Sequence, residues 1–374
     1  MFNKNTLEFN GCAYFRQRLA LSLLSGKPII INRIRCDSES IGCLPYEVDL
    51  LRFIEKLTNG TKVSINKSGT TVSFVPGVLI GGTVSHTCDS EQSPSYYIEF
   101  SLMIAPFCKC SLNISFTGDY PKLSTCPSIE RLQRSVAKMI PKFIEQNTDV
   151  IIKRLDDKVV FECSRVNQLK PCGLWIDPGK VKRIRGVAYR LGRIPASTLS
   201  RMIDCIKKVL LDILPDVYIV CDSRPSKEPV YGLCLVAEST DPNCCYTSEV
   251  TSESVTNRQL DKYVTPDLVA EEALTKLLKE IYCGGVVDSV SQPLALLYMA
   301  CNQPDLSKVN VGRLSKTSVE MLRNLNRFFN LKFRLSEENN AVDADDDTFL
   351  TGSPTRTILS CFGVGYRNIF KNLT

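Results

Sequence analysis

The feature that most constrains this chain is an order of predicted elements that recurs three times: helix, strand, helix, strand, strand. A unit of this kind packs its two helices on one face of a small sheet, which predicts an α+β fold. The first copy comprises a helix over 15–24, a strand over 28–35, a helix over 47–57 and a strand pair over 62–66 and 71–75.

The second and third copies follow the same order. The second copy lies in the segments 97–107, 110–116, 129–146, 149–154 and 159–165. The third copy consists of an apolar helix over 292–299, a strand over 308–311, a second helix, and strands over 331–335 and 357–362. Ser315 is the predicted N-cap of that second helix. Its expected buried face, from helical spacing, is Val319, Leu322, Leu325 and Phe329.

Two regions depart from this order. Residues 186–284 contain a long amphipathic helix, strands over 217–221 and 232–238, a polar loop over 239–259 and a helix opened by Thr265-Pro266. The acidic run EENNAVDADDD, residues 337–347, predicts a mobile loop. We therefore predict a large domain formed by repeats one and two (1–185) and repeat three (285–374), with a smaller α/β domain (186–284) inserted between repeats two and three.

Composition excludes several classes of protein. At 44% hydrophobic and 23% charged residues the chain is typical of a globular protein, and its apolar runs are too short to span a membrane. The N-terminus lacks the apolar segment of a secretion signal. Seventeen scattered cysteines and one histidine do not form paired zinc-binding motifs, so we expect reduced thiols, no metal site and no cofactor.

The single histidine, His86, also limits the chemistry, since histidine is the usual general acid or base near neutral pH. His86 follows Gly81-Gly82, and we expect it to be a structural residue with satisfied hydrogen bonds. Gly363 and Gly365 form a GxG without a following helix, which predicts a turn or a close-packing device without a nucleotide role.

Two groups of basic residues are candidate binding sites, and a net charge of +6 permits contact with nucleic acid without requiring it. The first group, with Arg33 beside it, is a candidate anion or RNA site and consists of Arg16, Arg18, Lys27, Arg35, Arg313 and Arg323. The second lies at the entrance to the inserted domain and consists of Lys180, Lys182, Arg183, Arg185, Arg190 and Arg193. A patch for RNA or an acidic partner and a solvated linker are equally consistent with this second run.

Several motifs together resemble the RNA 3'-terminal phosphate cyclase superfamily. They are GCAYFRQRLALSLLSGKPIIINRIRC near the N-terminus, IGCLPYEVDLLRFIEKLTNG, GTTVSFVPGVLIGG, GVAYRLGRIPASTLSRMID and the final FGVGYRN. The resemblance covers nearly the whole chain and is specifically to the cyclase-like branch that acts in eukaryotic ribosome biogenesis. It implies three repeats with an inserted smaller domain, as the element order also predicts.

The residues that carry catalysis in the enzymes are replaced. Alignment with the cyclases puts Arg313 where their nucleophilic histidine belongs, and an arginine has no nucleophilic lone pair at neutral pH. The Glu-Gly-Gly-Gly-Gln run of the enzymes reads Phe9-Asn10-Gly11-Cys12-Ala13 here. Arg16 and Arg35 remain at basic positions that the enzymes use for anion contact.

Arg16 and Arg35 are expected to face a cleft and to hold an oxyanion, because the only acids in the first 38 residues are Glu8 and Asp37. The alternative is that carboxylates pair with both guanidinium groups inside the fold.

The resemblance implies a non-catalytic assembly factor for the small ribosomal subunit, located in the nucleus and nucleolus. Its implied partners are a large ribosome-biogenesis GTPase, the small-subunit processome and box C/D snoRNP, and pre-rRNA. An RNA endonuclease that cuts pre-rRNA is the alternative. It is disfavoured because the Arg-Asp-x-Lys of some relatives reads Arg323-Asn324-Leu325-Asn326 here. An active cyclase is the least favoured hypothesis.

Overall fold

The computed structural model describes residues 6–118, 126–144, 150–155, 158–225, 229–253, 264–339 and 355–368. The fold of this part of the chain is mixed α+β, as predicted. Among the described residues, no helix combines the length and the apolar character that crossing a bilayer requires.

The first sheet is built from the N-terminal segment. Its elements in chain order are β1 (Leu7–Asn10), α1 (Phe15–Ser25), β2 (Ile29–Asn32), α2 (Pro45–Leu57), β4 (Lys62–Ile65) and β5 (Val72–Val75), with the short pair β3 (Thr58–Asn59) and β6 (Val78–Leu79) beside them. Strand β2 ends earlier than the sequence predicted, because Arg33 and Arg35 both have positive φ angles that a strand cannot hold.

The second sheet follows directly. Its elements are β7 (Gly82–Thr87), α3 (Pro94–Ile104), β8 (Leu112–Thr117), α4 (Ile129–Met139), β9 (Val150–Arg154) and β10 (Lys158–Cys163). Helix α4 ends before the predicted residue 146, because Pro141 cannot continue the α-helical hydrogen bonds and the chain forms a 3-10 turn over Ile140–Lys142.

The remaining elements form two further sheets. One contains β11 (Leu174–Trp175), β16 (Leu306–Asn310), β17 (Arg334–Asn339) and β18 (Thr355–Phe362), with the helices α7 (Gln292–Cys301) and α8 (Lys316–Phe329). The other contains β12 (Val181–Leu191), β13 (Val217–Arg224), β14 (Val230–Ser239) and β15 (Cys245–Thr251), with the helices α5 (Ala196–Leu210) and α6 (Pro266–Cys283).

The strand orders are β1-β2-β5-β4, β7-β8-β10-β9, β11-β16-β18-β17 and β13-β12-β14-β15. In each sheet the first pair is parallel and the other two pairs are antiparallel. The first three sheets and their helices share one continuous apolar core. The fourth packs α5 and α6 on one face around a core of its own.

The structure differs from the sequence-based description of local structure at three places. The polar segment 239–259, read as a loop, contains β15, whose hydroxyls are buried and bonded, as in the 2.8 Å bond from Ser248 Oγ to the carbonyl of Ala273. The basic run 180–193 is not a linker, because β12 is a central strand of its sheet. The predicted domain boundary at 185/186 consequently falls inside β12.

The buried face of α8 also differs from the predicted one. Ser315 caps the helix as expected, with its side chain accepting from the backbone N–H of Ser318. The buried positions are Ser318, Met321, Asn324, Leu325 and Phe328, so of the predicted face only Leu325 is fully buried. Two polar residues lie on the inner face, which shifted the apolar pattern in the sequence. Of the predicted acidic loop, 337–339 belongs to β17 and 340–347 lies outside the described residues.

Candidate functional site

A cavity of about 700 Å³ lies where the helices of the first three sheets meet the edge strand β15 and helix α6 of the fourth. Its charged lining residues are Arg16, Arg35, Arg131, Lys276, Glu47, Glu99 and Glu249. Seven charged side chains around one cavity make it the candidate functional site. Among the described residues no cluster has the composition of a metal site.

Arg16 enters the cavity from the first turn of α1. Its Nη1 donates to the carboxylate of Glu99 and, at 3.1 Å, to the carbonyl of Tyr96. The guanidinium lies 4.3 Å from the centroid of the Tyr96 ring. Burial is the largest single influence and lowers the pKa of Arg16, but the charge of Glu99, its hydrogen bond and the other nearby groups together outweigh burial and raise the pKa. Arg16 is therefore an ionised residue with its own carboxylate partner.

Arg35 is held in the same way on the other side of the cavity. Its two terminal nitrogens donate to the two carboxylate oxygens of Glu47 at 2.7 and 2.6 Å, and one of them also donates to the carbonyl of Gly42 at 2.9 Å. The hydrogen bonds to Glu47 raise the pKa of Arg35. Glu47 in turn accepts the backbone N–H of Leu44 and so helps to cap α2.

These two ion pairs correct the sequence-based expectation of arginines without protein carboxylate partners. Both guanidinium groups face the cavity, as predicted, yet each is paired with a carboxylate. The partners Glu47 and Glu99 are 12 and 83 residues away in the chain. A count of acids in the first 38 residues could not find them.

The opposite wall of the cavity comes from α4 and β15 and was not found from the sequence. Arg131 donates to the hydroxyl and the carbonyl of Thr247 at 2.8 and 3.0 Å. Glu249 accepts the backbone N–H of Ser128 at 2.8 Å and the hydroxyl of Tyr189 at 3.3 Å. Burial raises the pKa of Glu249. Residues 128 and 249 are 121 positions apart, and no local pattern in the sequence connects them.

The other four members of the first basic group do not line the cavity. Arg18 is 6% exposed, donates to the carbonyl of Gly11 at 2.8 Å and lies over the Phe9 ring. Burial lowers the pKa of Arg18. Lys27 follows the C-cap of α1, at the other end of that helix. Arg313 and Arg323 are exposed at α8. Of the first basic group, the structure thus places only Arg16 and Arg35 in the lining of the cavity.

Most of the second basic group is neutralised or bonded within the fourth sheet. Arg183 contacts Glu238 at 2.7 Å and Arg185 contacts Asp216 at 2.7 Å. Arg190 donates to the hydroxyl of Ser223 at 2.8 Å. The exposed members are Lys180, Lys182 and Arg193. A contiguous patch of six available cations is therefore not formed.

His86 is a structural residue, as predicted. It is 2% exposed, and its Nε2 lies 3.0 Å from Asp49 while its Nδ1 lies 3.4 Å from the Lys56 ammonium. Since the ammonium can only donate, Nδ1 accepts and Nε2 carries the proton, which describes a neutral imidazole. Burial lowers the pKa of His86, in agreement with that state. His86 is not among the residues that line the cavity.

Comparison with known proteins identifies the family. The model of the RNA 3'-terminal phosphate cyclase family matches residues 7–335. The chain belongs to this family. Cyclase-like proteins from Dictyostelium discoideum and Homo sapiens are 36% and 35% identical to it, with 98% and 99% of this chain and 99% and 98% of the relatives covered. The rRNA processing protein rcl1 of Schizosaccharomyces pombe is 31% identical, with 98% of each chain covered.

The structure also shows where two residues lie that the sequence analysis compared with the enzymes. Phe9, compared there with the glutamate of the Glu-Gly-Gly-Gly-Gln run, is 4% exposed and stacks on Phe328 with ring centroids 5.8 Å apart. Arg313, compared there with the nucleophilic histidine, is exposed and does not line the cavity. Among solved structures, EPSP synthase from Acinetobacter baumannii is 12% identical to this chain, with a TM-score of 0.29. The match covers 97% of this chain and 66% of the synthase, and the likeness is too weak for any conclusion.

Proposed function

We propose that this protein is a non-catalytic assembly factor in rRNA processing, acting in the nucleus and nucleolus on early maturation of 18S rRNA. In this proposal it binds a large ribosome-biogenesis GTPase within the small-subunit processome, together with box C/D snoRNP components and pre-rRNA. The similarity to an rRNA processing protein over 98% of the chain supports the process.

The observation that carries the non-catalytic part is the arrangement of charges in the cavity. Arg16 and Arg35 already have carboxylate partners, so an incoming phosphate would have to compete with Glu99 and Glu47. The positions that the sequence analysis compared with the nucleophilic histidine and with the glutamate of the Glu-Gly-Gly-Gly-Gln run hold an exposed arginine and a buried phenylalanine. Each of these features opposes transfer of a nucleotide at this site.

We also propose the architecture that the sequence predicted: three repeated units with a smaller unit inserted between the second and the third. The shared strand order and the separate apolar core of the fourth sheet support it. Because β12 belongs to the fourth sheet, we place the start of the inserted unit before Val181.

The endonuclease alternative depends on the helix in which some relatives carry an acid. Here that position is Asn324, which is 0% exposed, and its neighbour Arg323 is bonded to Glu320 at 3.3 Å. Cleavage of RNA needs a base near neutrality or a metal held by carboxylates. A buried amide supplies neither, which favours the assembly factor.

The proposal is tested by affinity purification of the tagged protein from its own cells, with depletion in parallel. We expect recovery of a large GTPase and pre-rRNA processing factors, and accumulation of 18S precursors on depletion. Normal 18S maturation in depleted cells would overturn the role in rRNA processing.

A test in vitro addresses the proposal that the protein has neither nucleotidyl-transfer nor RNA-cleaving activity. The purified protein should take up no label from α-labelled ATP, and neither should an Arg313→His variant, because Phe9 still fills the place of the carboxylate. It should also make no site-specific cut in a pre-rRNA fragment. Covalent labelling of the wild type, or cleavage lost in Arg323→Ala but kept in Lys182→Ala, would restore an enzymatic function.

A further inference from the structure

One segment of this chain is strongly basic, and the thirteen residues that follow it carry six carboxylates and no cation. Residues 306–334 contain seven cations and one carboxylate, a net charge of +6, which equals the formal net charge of all 374 residues. The cations are Lys308, Arg313, Lys316, Arg323, Arg327, Lys332 and Arg334, and the carboxylate is Glu320. The rest of the chain is therefore neutral as a whole.

Helix α8 displays part of this charge as a stripe. Its five exposed positions are Lys316, Thr317, Arg323, Asn326 and Arg327. From Lys316 to Arg327 the stripe is about 16 Å long, at 1.5 Å per residue. Arg313 precedes the helix, and Lys332 and Arg334 follow it, and all three are exposed. We name Arg313, Lys316, Arg323, Arg327, Lys332 and Arg334 the α8 basic face.

Within the part of the chain that the structure describes, few of these charges are neutralised by a carboxylate. Glu320 bonds to Arg323, whose side chain is still 72% exposed. Lys316 lies in a first helical turn without any acid, where the helix dipole already disfavours a cation. Arg327 is held in place by a 2.6 Å bond to the carbonyl of Glu8 and by the Phe9 ring, 4.0 Å away. The face combines high positive charge with one anchored arginine.

We propose that the α8 basic face binds the phosphate backbone of RNA. Protein interfaces bury an apolar centre, whereas all five exposed positions of α8 are polar. Cations interleaved with a hydroxyl and an amide are the groups that contact phosphate and sugar oxygens. The choice of RNA as the polyanion rests on the proposed function. The site is distinct from the cavity, whose lining includes none of the six residues.

The test compares two variants with the same change in net charge. The first carries Arg313→Glu, Lys316→Glu and Arg323→Glu. The control carries Lys67→Glu, Lys208→Glu and Lys279→Glu, at exposed positions outside both basic groups. Binding of a fluorescein-labelled single-stranded RNA of 20 nucleotides and mixed sequence is followed by fluorescence anisotropy at several salt concentrations. Thermal unfolding establishes that both variants fold.

We expect the first variant to bind the RNA about tenfold more weakly or worse near 0.15 M salt, with a log–log salt slope shallower by about 2, because roughly 0.7 counterions are released per phosphate contact of a single strand. The control should stay within threefold of the wild type. Equal weakening of both variants, or unchanged binding by the first, would overturn the proposal.

Competition separates RNA from an acidic protein as the ligand. Unlabelled RNA should displace the probe at a concentration at least tenfold lower, in charge equivalents, than polyglutamate. If polyglutamate competes equally well, the face is a surface for acidic proteins and the proposal is overturned. None of these outcomes bears on the accumulation of 18S precursors, so a failure here is distinguishable from a failure of the proposed function.

Discussion

The central cavity and the α8 basic face both present arginines, but the two regions treat their charge in opposite ways. In the cavity, Arg16 and Arg35 are each bonded to a carboxylate. On the basic face, Arg323 is the only one of the six cations with a carboxylate partner among the described residues, and that partner is Glu320. A buried guanidinium must be paired, because an unpaired charge in a protein interior is costly, whereas an exposed one is hydrated. Charge available to a polyanion therefore has to be sought on the surface.

The largest expected effect is on stability and concerns the ion pair between Arg35 and Glu47 in the cavity. Glu47→Gln leaves the half-buried Arg35 without an ionic partner and should lower the free energy of unfolding by about 3–5 kcal/mol. Chemical denaturation measures it. The matched control is Glu320→Gln, which breaks an exposed pair and should change stability by about 0.5 kcal/mol or less. Equal effects of the two variants would remove the contrast between the regions.

Arg16 tests the same contrast with two readouts. Arg16→Ala removes its bonds to Glu99 and Tyr96 and should destabilise the protein by about 1–3 kcal/mol. Its affinity for single-stranded RNA should stay within twofold of the wild type, because the charge that it removes is already paired. A loss of RNA affinity comparable to that of the α8 variant would show that the cavity, too, holds RNA.

His86 extends the comparison to pH. Because burial lowers its pKa in the fold, the unfolded chain binds a proton first as the pH falls below about 6.5. The contribution of His86 to the free energy of unfolding is therefore fully present above that pH. As the pH falls below it, the free energy of unfolding decreases by up to about 1.4 kcal/mol per pH unit. Denaturation between pH 5.5 and 7.5 should show this slope in the wild type and a flatter one in His86→Gln. Parallel slopes would mean that the imidazole is not held neutral.

The smallest effect expected is on the basic face itself. Glu320→Gln removes the carboxylate that pairs with Arg323 and should strengthen RNA binding about twofold to threefold at low salt, with little effect above 0.5 M where charges are screened. Anisotropy with the labelled RNA checks this. Weaker binding by the variant would indicate that Glu320 orients Arg323 for contact with RNA.

Local pattern predicted the elements well where one face is apolar. Helix α6 begins after Thr265 and ends before Gly284, as its capping residues indicated. The local sequence pattern failed to predict elements whose buried side chains are polar. Strand β15 contains a buried Thr247 and Ser248, and the inner face of α8 contains Ser318 and Asn324. Thr247, Ser248 and Ser318 look like loop or surface positions until the groups that bond them are known.

The site was harder to predict than the fold because its geometry depends on distant partners. Arg16 and Arg35 were found as cavity residues, since their type and position carried a signal. Their carboxylates, and the wall formed by Arg131 and Glu249, come from elements that only tertiary packing brings together.

The most direct test of the central claim is ultraviolet cross-linking of the protein to RNA in its own cells, with both the RNA and the cross-linked peptides identified. We predict pre-rRNA sequences, and cross-links within residues 313–334. Cross-links confined to the cavity segments 12–17 and 126–136, or RNA without enrichment of pre-rRNA, would contradict the division between a cavity whose arginines are paired and an RNA-binding face.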